Sequence, residues 1–210
     1  MRKKDKFDVP IHDDAALQKS LAYMRWSDHA ILRQVWSNFD QIAPRVYRSN
    51  HPSPKQFEWL RDQGIKTILS FRSFGFAPTH TERYICNQLG LDLHICPLSA
   101  GRAPLASELN ALFGYFDTLE KPFLMHCKSG ADRTSLASAL YLIDQAGYSA
   151  DQTKHMFSLR YVHLKFSKKG VLDAFIDAFA HANHSTGIPI REWVNTVYNP
   201  VELQAAFDAR

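Results

Sequence analysis

A cysteine, a glycine and an arginine share one short stretch, HCKSGADRT, which runs from His126 to Thr134. A thiolate is the nucleophilic form of cysteine, and nearby positive charge lowers a cysteine pKa from about 8.5 to between roughly 3.5 and 7.5. The planar guanidinium of Arg133 can grip two oxygens of a phosphoryl group. Gly130 permits a tight curl in which successive backbone N–H groups surround a small anion. The stretch therefore predicts a phosphoryl-binding loop with the sulfur of Cys127 at its floor.

The flanking residues predict how this loop is held. Phe123–His126 is short and apolar, as expected of a buried strand, and a helix is predicted from Arg133 to Gln145. Ligands of open α/β sheets bind at the carboxyl ends of strands, and the N-terminus of the next helix adds partial positive charge. We expect this strand in the middle of the sheet, with the loop at its carboxyl end.

Strands and helices alternate before the loop, and helices dominate after it. Strands are predicted at Arg45–Ser49, Lys66–Phe71 and Leu91–Pro97. Helices are predicted at Asp13–Asn38 with a break near Ser27 and Asp28, from Ser53, from Thr79, from Ser107, at Ser149 to about Leu159, and at Lys169 to about Asn183. This alternation predicts an α/β fold: a twisted, mostly parallel sheet of four or five strands flanked by helices. Residues 1–40 are predicted to be a helical extension packed on the core, and residues 41–210 the domain that carries the loop, with the C-terminal helices included.

Composition narrows the classes of function. The 210 residues are 45% hydrophobic and 22% charged, with a net charge of +4. The sequence has no apolar run of the roughly 18 to 20 residues that a membrane helix needs, and its cations are spread along the chain, which does not favour nucleic acid. Cys86, Cys96 and Cys127 are too few for a disulfide framework and have no zinc-ligand spacing. We expect a cytoplasmic protein, and no cysteine or histidine spacing predicts a metal site.

The loop resembles that of a known family. HCKSGADRT matches the His-Cys-(x)5-Arg-Ser/Thr signature of the cysteine-dependent protein tyrosine and dual-specificity phosphatases. Upstream, RVYRSNHPSPKQFEWLRDQGIKTILSFR resembles the opening of the small bacterial and fungal dual-specificity-like phosphatases. The resemblance covers about Arg45 to Leu159, and it implies no metal and no organic cofactor.

The resemblance implies a role for each loop residue. Cys127 would attack phosphorus and form a cysteinyl-phosphate, and Thr134 would donate its hydroxyl to the sulfur. His126 would hydrogen-bond the loop backbone and help to keep the thiolate pKa low. Arg133 would hold the phosphoryl oxygens together with backbone N–H groups of the loop, which belong to Lys128, Ser129, Gly130, Ala131, Asp132 and Arg133.

The general acid of this family is usually an aspartate about 30 residues before the cysteine. Here that region, Cys96–Pro104, contains no Asp or Glu. The remaining candidate is Asp132, whose placement resembles the DRT of the myotubularin and Sac-type lipid phosphatases. Asp132 could instead cap the helix that begins at Arg133, or form a salt bridge with Arg133.

Substrate preference rests on the cations near the loop. Lys128, next to the cysteine, resembles the additional cation found in phosphatases that act on multiply phosphorylated inositols. Arg102 and Arg72 could add positive charge to the same substrate pocket. Arg48 and His51 could line another wall. The alternative is that these arginines pair with local carboxylates. Three further cations, Lys165, Lys168 and Lys169, are interpreted as a solvated face.

The sequence thus predicts a metal-independent phosphomonoester hydrolase that acts on phosphotyrosine- or phosphoserine-type proteins or on small phosphoesters. One alternative is a phosphoinositide or inositol-phosphate phosphatase. A second is a phosphate-binding module that has lost turnover, which the acid-free Cys96–Pro104 region motivates. A third is a sulfur-transfer or arsenate-reducing enzyme, which Thr134 and the upstream resemblance disfavour. No nucleic-acid partner and no membrane insertion are expected.

Overall fold

The central element is a five-stranded sheet. A computed structural model describes residues 10–28, 30–34, 36–75 and 77–210. The strands are β1 (Asp40–Ala43), β2 (Val46–Ser49), β3 (Thr67–Ser70), β4 (Asp92–Ile95) and β5 (Phe123–His126). Their order across the sheet is β1-β2-β5-β3-β4, and all pairs are parallel except β1 with β2. The mostly parallel α/β fold predicted from the alternation is confirmed, and β5 is the central strand.

Strand β1 was not predicted. It is a four-residue edge strand, and its residues are only half-buried or exposed, so it lacks the apolar pattern by which a strand is recognised in sequence. It pairs antiparallel with β2 across a two-residue turn at Pro44 and Arg45.

Helices cover both faces of the sheet. They are α1 (Asp14–Ser27), α2 (Pro54–Asp62), α3 (Ala77–Leu89), α4 (Ala106–Thr118), α5 (Arg133–Ala146), α6 (Ala150–Thr153), α7 (Val171–Thr186), α8 (Ile190–Thr196) and α9 (Pro200–Asp208), with 3-10 turns at Ala30–Gln34, Lys154–Phe157, Leu159–Tyr161 and Lys168–Gly170. Because side chains alternate along a strand, Phe123 and Met125 of β5 enter the core formed with α4, α5, α7 and α8. Leu124 enters the smaller core formed with α2 and α3.

Local signals explain where several helices begin and end. Ser53 caps α2 through a capping box with Gln56, and Pro54 occupies the first helical position. The predicted helix over Ser149 to about Leu159 is wrong in its second half, because α6 ends at Thr153 and 3-10 turns follow. These turns lead the chain to Tyr161 and His163, which are both buried.

The N-terminal helix α1 lies on α3. The Ser20 and Thr81 hydroxyls are 2.6 Å apart in a buried hydrogen bond between the two helices. From Asp28 to Phe39 the chain then runs from α1 towards β1, with a 3-10 helix at Ala30–Gln34 and irregular backbone elsewhere in its described residues. The division into residues 1–40 and 41–210 stays a prediction. No helix in the described ranges is both long enough and apolar enough to cross a bilayer.

Candidate active site

The phosphoryl-binding loop lies at the carboxyl end of the central strand, between β5 and α5. Cys127 follows β5 directly and is 1% exposed. The backbone N–H of Gly130 donates to the Cys127 Sγ at 3.3 Å, so the loop curls around the sulfur. Arg133 is the first residue of α5, and the positive end of that helix points at the loop.

The Cys127 thiol is acidic for a buried cysteine. Burial acts to raise its pKa, but the pKa is lowered to about 7, because the charge of Arg133, the hydroxyl and backbone N–H of Thr134 and the backbone N–H of Gly130 favour the thiolate. The Thr134 hydroxyl is fully buried and has no other hydrogen-bond partner among the described residues. Near neutral pH a large fraction of Cys127 is therefore the nucleophilic thiolate.

Gly130 is required by the tight packing of the loop. Its φ is +70°, a left-handed conformation. A Cβ on this residue would lie 2.8 Å from the backbone N of Asn50 and the backbone O of Ser49, and 2.9 Å from the Cβ of Asn38. Asn38 also donates from Nδ2 to the backbone oxygen of Ser129 at 2.9 Å. The chain after β2 and the chain before β1 thus press directly against the loop.

Arg133 is held at the edge of the sheet. Its Nη1 donates to the backbone oxygen of Phe71, directly after β3, at 2.8 Å. This bond fixes one end of the guanidinium, while the side chain stays partly exposed beside the loop. The geometry suits an arginine that receives phosphoryl oxygens without a large rearrangement.

His126 connects the loop to a buried carboxylate. Its Nδ1 is 3.2 Å from the backbone oxygen of Cys127, and its Nε2 is hydrogen-bonded to the Glu82 carboxylate. Glu82, on α3, also accepts from the Ser70 hydroxyl at 3.0 Å and is fully buried. Nothing in the local sequence singled out Glu82, since a lone glutamate in a helix is ordinarily exposed.

The described residues include one group with metal-ligand geometry, formed by His51, Glu82 and His126. Their candidate ligand atoms lie within 4.8 Å of one another, and all three side chains are buried. His51 Nδ1 has no hydrogen-bond partner there, and burial holds the His51 pKa well below its usual range. Glu82 already forms hydrogen bonds with His126 and Ser70. In this arrangement Glu82 orients His126, which in turn contacts the loop backbone at Cys127.

Arg48 supports the loop from beneath. The sequence suggested it as a pocket wall, but its side chain is completely buried. Its Nη2 donates to the backbone oxygen of Gly130 and, at 3.1 Å, to the Ser135 hydroxyl. The guanidinium also stacks 3.6 Å from the centre of the Tyr161 ring. Burial lowers the Arg48 pKa to about 10, which leaves a positive charge under the thiolate.

For Asp132 the sequence left three roles open, which are general acid, cap of α5 and salt-bridge partner of Arg133. Its side chain makes no cap to α5, so the capping alternative is wrong. Its carboxylate instead contacts His163 Nδ1 at 2.9 Å and Lys169 Nζ at 3.0 Å. Burial acts to raise the Asp132 pKa, but these two partners lower it overall. His163 also contacts Asp173 at 2.6 Å, and although burial opposes it, the two carboxylates raise the His163 pKa to about 9.

Arg102, a candidate for the substrate pocket, pairs with a local carboxylate. Its guanidinium forms two bonds to the Glu108 carboxylate, at 2.6 and 3.0 Å, and a third to the backbone oxygen of Ala103. Arg102 lies in the loop before α4, and Glu108, in the first turn of α4, also accepts a hydrogen bond from the backbone N–H of Leu105 at the start of that helix. The local-carboxylate alternative therefore describes Arg102, because a glutamate six residues away is its nearest partner.

A carboxylate from the N-terminal segment collects three cations beside the loop. Asp28 contacts Arg33 at 2.9 Å, Arg72 at 2.9 and 3.0 Å, and the Lys128 ammonium at 3.4 Å. Burial acts to raise the Asp28 pKa, but Arg72, Arg33 and Lys128 lower it overall. Asp28 and both arginines are buried, while the Lys128 side chain is 40% exposed. The Asp28 group, as these four residues are called below, adjoins Cys127 through Lys128.

The mostly parallel sheet and the Cys127–Arg133 loop at its carboxyl end are typical of a cysteine-dependent phosphatase. Comparison with known proteins assigns the family. Residues 34–169 match the family described as "PTP-NADK: DSP-PTPase phosphatase fused to NAD+ Kinase". That match spans more than half of the 210 residues. The chain belongs to the DSP-PTPase phosphatase family.

Two named relatives are similar in sequence. The dual specificity protein phosphatase TpbA of Pseudomonas aeruginosa is 29% identical over 142 residues, which make up 66% of this chain and 59% of TpbA. The inositol diphosphatase DSP3 of Arabidopsis thaliana is 27% identical over 103 residues, or 47% of this chain and 50% of DSP3. The chain thus spans only half to three fifths of the length of these curated relatives.

Solved structures share the fold. The crystal structure of P. aeruginosa TpbA has a TM-score of 0.56 at 21% identity and covers 82% of this chain and 96% of its own. The core catalytic domain of the PP-IP phosphatase SIW14 from S. cerevisiae has a TM-score of 0.54 at 19% identity, with coverage of 72% and 95%. These neighbours confirm the predicted architecture.

Proposed function

We propose that this chain hydrolyses phosphomonoesters through a cysteinyl-phosphate intermediate on Cys127. One observation carries the proposal: a cysteine with a pKa of about 7 at the floor of a loop whose backbone and arginine can hold a phosphoryl group. In this reading Arg133 and the loop N–H groups bind the equatorial oxygens, which disperses charge in the transition state. The cytoplasm is the proposed location, since a catalytic thiolate needs a reducing compartment to escape oxidation.

The reaction divides into two displacements. In the first, the Cys127 thiolate attacks phosphorus, the S–P bond forms, the ester P–O bond breaks, and the leaving oxygen takes a proton from solvent. In the second, water attacks phosphorus, the S–P bond breaks, the thiolate returns, and a proton is released with inorganic phosphate. The Thr134 hydroxyl stabilises the departing thiolate in this second step.

Asp132 is proposed to position the loop instead of protonating the leaving group. Its contacts with His163 and Lys169 hold it ionised at neutral pH, whereas a general acid must carry a proton there. The region Cys96–Pro104 contributes no carboxylate either. The enzyme is therefore expected to prefer esters whose leaving group needs little protonation.

Two aryl phosphates test the proposal. Wild-type protein should hydrolyse 4-nitrophenyl phosphate far faster than phenyl phosphate, and Cys127→Ser should lose turnover of both. Asp132→Asn should slow the two substrates by the same factor if the carboxylate only positions the loop. A selective loss on phenyl phosphate, with loss of the basic limb of the pH–rate profile, would instead make Asp132 the acid. No turnover of 4-nitrophenyl phosphate by the wild type would favour a binding module.

A second candidate substrate class is a small molecule with several phosphates, such as an inositol phosphate or a phosphoinositide headgroup. The Asp28 group supports it, because three cations converge there beside Cys127. A substrate with a second phosphate could compete with the Asp28 carboxylate for those cations. The names of the relatives support both classes: a TpbA structure is a complex with pTyr, and DSP3 is named an inositol diphosphatase.

The substrate classes are separated by a ratio of kcat/KM values. The ratio for a diphosphoinositol phosphate over a phosphotyrosine peptide should rise in Asp28→Asn and fall in Lys128→Gln. Asp62→Asn is the matched control, because Asp62 is 60% exposed and pairs only with its neighbour Arg61 among the described residues. An unchanged ratio in both site variants would exclude the Asp28 group from substrate selection and leave the phosphomonoesterase proposal intact.

A further inference from the structure

Four large apolar side chains are exposed within eight residues of the chain. The segment Ser158–Lys169, called the 158–169 segment below, exposes 75% of Leu159, 45% of Val162, 53% of Leu164 and 96% of Phe166. Single exposed apolar residues are ordinary, but a cluster of them marks a surface that contacts a partner or a lipid. Such a cluster is not explained by the phosphatase reaction.

The backbone that carries these exposed side chains is held in defined turns. The backbone N of Val162 donates to the oxygen of Leu159 at 2.9 Å, and the N of Ser167 donates to the oxygen of Leu164 at 3.1 Å. Two tight turns therefore follow one another, and Phe166 lies in the second. Because the turns are closed by backbone bonds, the apolar side chains are displayed outward by the fold.

The inward-facing residues of the segment anchor it to the phosphoryl-binding loop. Tyr161 is buried, and its backbone oxygen accepts from Asn38 Nδ2 at 2.9 Å. His163 is buried against Asp132 of the loop at 2.9 Å. Because buried Tyr161 and His163 are interleaved with exposed Val162 and Leu164, these outward side chains cannot turn in to join the core without breaking the contacts of Tyr161 and His163.

The segment is also strongly basic. It contains Arg160, Lys165, Lys168 and Lys169 and no Asp or Glu. Arg160 pairs with Asp40, and Lys169 pairs with Asp132. Within the residues that the structure describes, no carboxylate lies within salt-bridge distance of Lys165 or Lys168. These two flank Phe166, so apolar and cationic groups are presented at the same protrusion.

We propose that the 158–169 segment docks on a lipid bilayer with anionic headgroups. Burying apolar side chains at the headgroup boundary and placing lysines beside lipid phosphates are the two contributions that hold a peripheral protein on a membrane. The charge favours an anionic surface over a neutral one. The tip residue Phe166 is 96% exposed and stands at the rim of a cleft of mixed charge, which Lys165 and Asp173 also line. A headgroup layer can surround such a ring without matching the shape of the cleft, which favours a soft bilayer over a folded partner.

Docking would place the phosphoryl-binding loop close to the membrane, through the His163–Asp132 contact. The inference concerns binding alone and does not depend on turnover. It differs from a spanning segment, since only turn residues enter the headgroup region. It also replaces the interpretation of Lys165, Lys168 and Lys169 as a merely solvated face.

Vesicle co-sedimentation of the full chain tests the inference. The wild type should bind vesicles of phosphatidylcholine with phosphatidylserine, bind poorly to phosphatidylcholine alone, and release as salt is raised. Phe166→Ser should lower the partition coefficient at least about tenfold, given the transfer free energy of a Phe side chain. Lys165→Gln should lower it about fivefold. Val201→Ser is the control, because Val201 is 75% exposed on α9, outside the segment, and it should bind like the wild type.

Three results would overturn the inference. One is no binding to anionic vesicles, and another is equal binding by wild type and Phe166→Ser. The third is sedimentation equilibrium that shows a dimer which Phe166→Ser converts to a monomer, since a second copy would then cover the segment. Phe166→Ser should keep the wild-type unfolding midpoint and the wild-type rate on 4-nitrophenyl phosphate, which separates this outcome from misfolding or failure of the proposed reaction.

Discussion

Replacing Gly130 by alanine tests the loop geometry most specifically. The φ of +70° costs a residue with a Cβ about 1–2 kcal/mol. The new Cβ would also lie 2.8 Å from two backbone atoms, of Asn50 and Ser49. Backbone cannot move as a side chain can, so overpacking adds about 1–3 kcal/mol. Gly130→Ala should therefore lose about 2–5 kcal/mol of unfolding free energy.

Gly147→Ala is the matched control. Gly147 ends α5 with a φ of +74°, and a Cβ there would meet no atom within 4 Å. It therefore carries the cost of the left-handed conformation without the clash, and it should lose only about 1–2 kcal/mol. The difference between the two variants isolates the close approach of the loop to its neighbours.

Urea unfolding and steady-state hydrolysis of 4-nitrophenyl phosphate measure the two effects. Gly130→Ala should lower kcat/KM at least about tenfold, since displacing reacting groups by a fraction of an ångström is costly. Gly147→Ala should keep wild-type kcat/KM. Equal stability losses and equal activities in the two variants would refute the packing described around the loop.

Further predictions concern charge. Alkylation of Cys127 should rise with pH through a midpoint near 7, while Cys86 and Cys96, whose pKa values burial raises, stay unreactive below pH 9. Arg48→Met should raise that midpoint and cost about 2–4 kcal/mol, because it removes a buried cation and its bonds. His163 has its pKa raised to about 9 when folded, so its stabilisation is present below about pH 6.5 and is lost as pH rises through 9. In a Cys127→Ser background, which removes the opposing thiolate ionisation, urea unfolding of His163→Asn should show a stability deficit of about 2–3 kcal/mol at pH 6 that shrinks by pH 10; a deficit independent of pH would contradict it.

Much of the fold was predictable, because its strongest elements are short and locally encoded. Strand β5 is fully buried and begins with three apolar residues, and α2 carries a serine cap and a first-turn proline. Strand β1 has no such local signal, because it is a partly exposed edge strand that is held by its pairing with β2. The two 3-10 turns after Thr153 bring Tyr161 and His163 into contact with residues distant in sequence. A local helical pattern carries no information about such contacts.

The loop itself could be read from the sequence, whereas its supports could not. Cys127 and Arg133 lie in the same short stretch of sequence, so their spacing is visible without a structure. Glu82, Asp28 and His163 reach the loop from three other parts of the chain, and each is a common residue without a local motif. Only the packing of α3, the N-terminal segment and the 158–169 segment brings them together.

The central claim is that Cys127 accepts the phosphoryl group. The direct measurement is acid quench during turnover of 4-nitrophenyl phosphate, followed by peptide mass spectrometry. A phosphoryl group on the Cys127 peptide, absent from Cys127→Ser protein that has also lost turnover, is the predicted result. Turnover retained by the serine variant, or a phosphoryl group found on another residue, would contradict it.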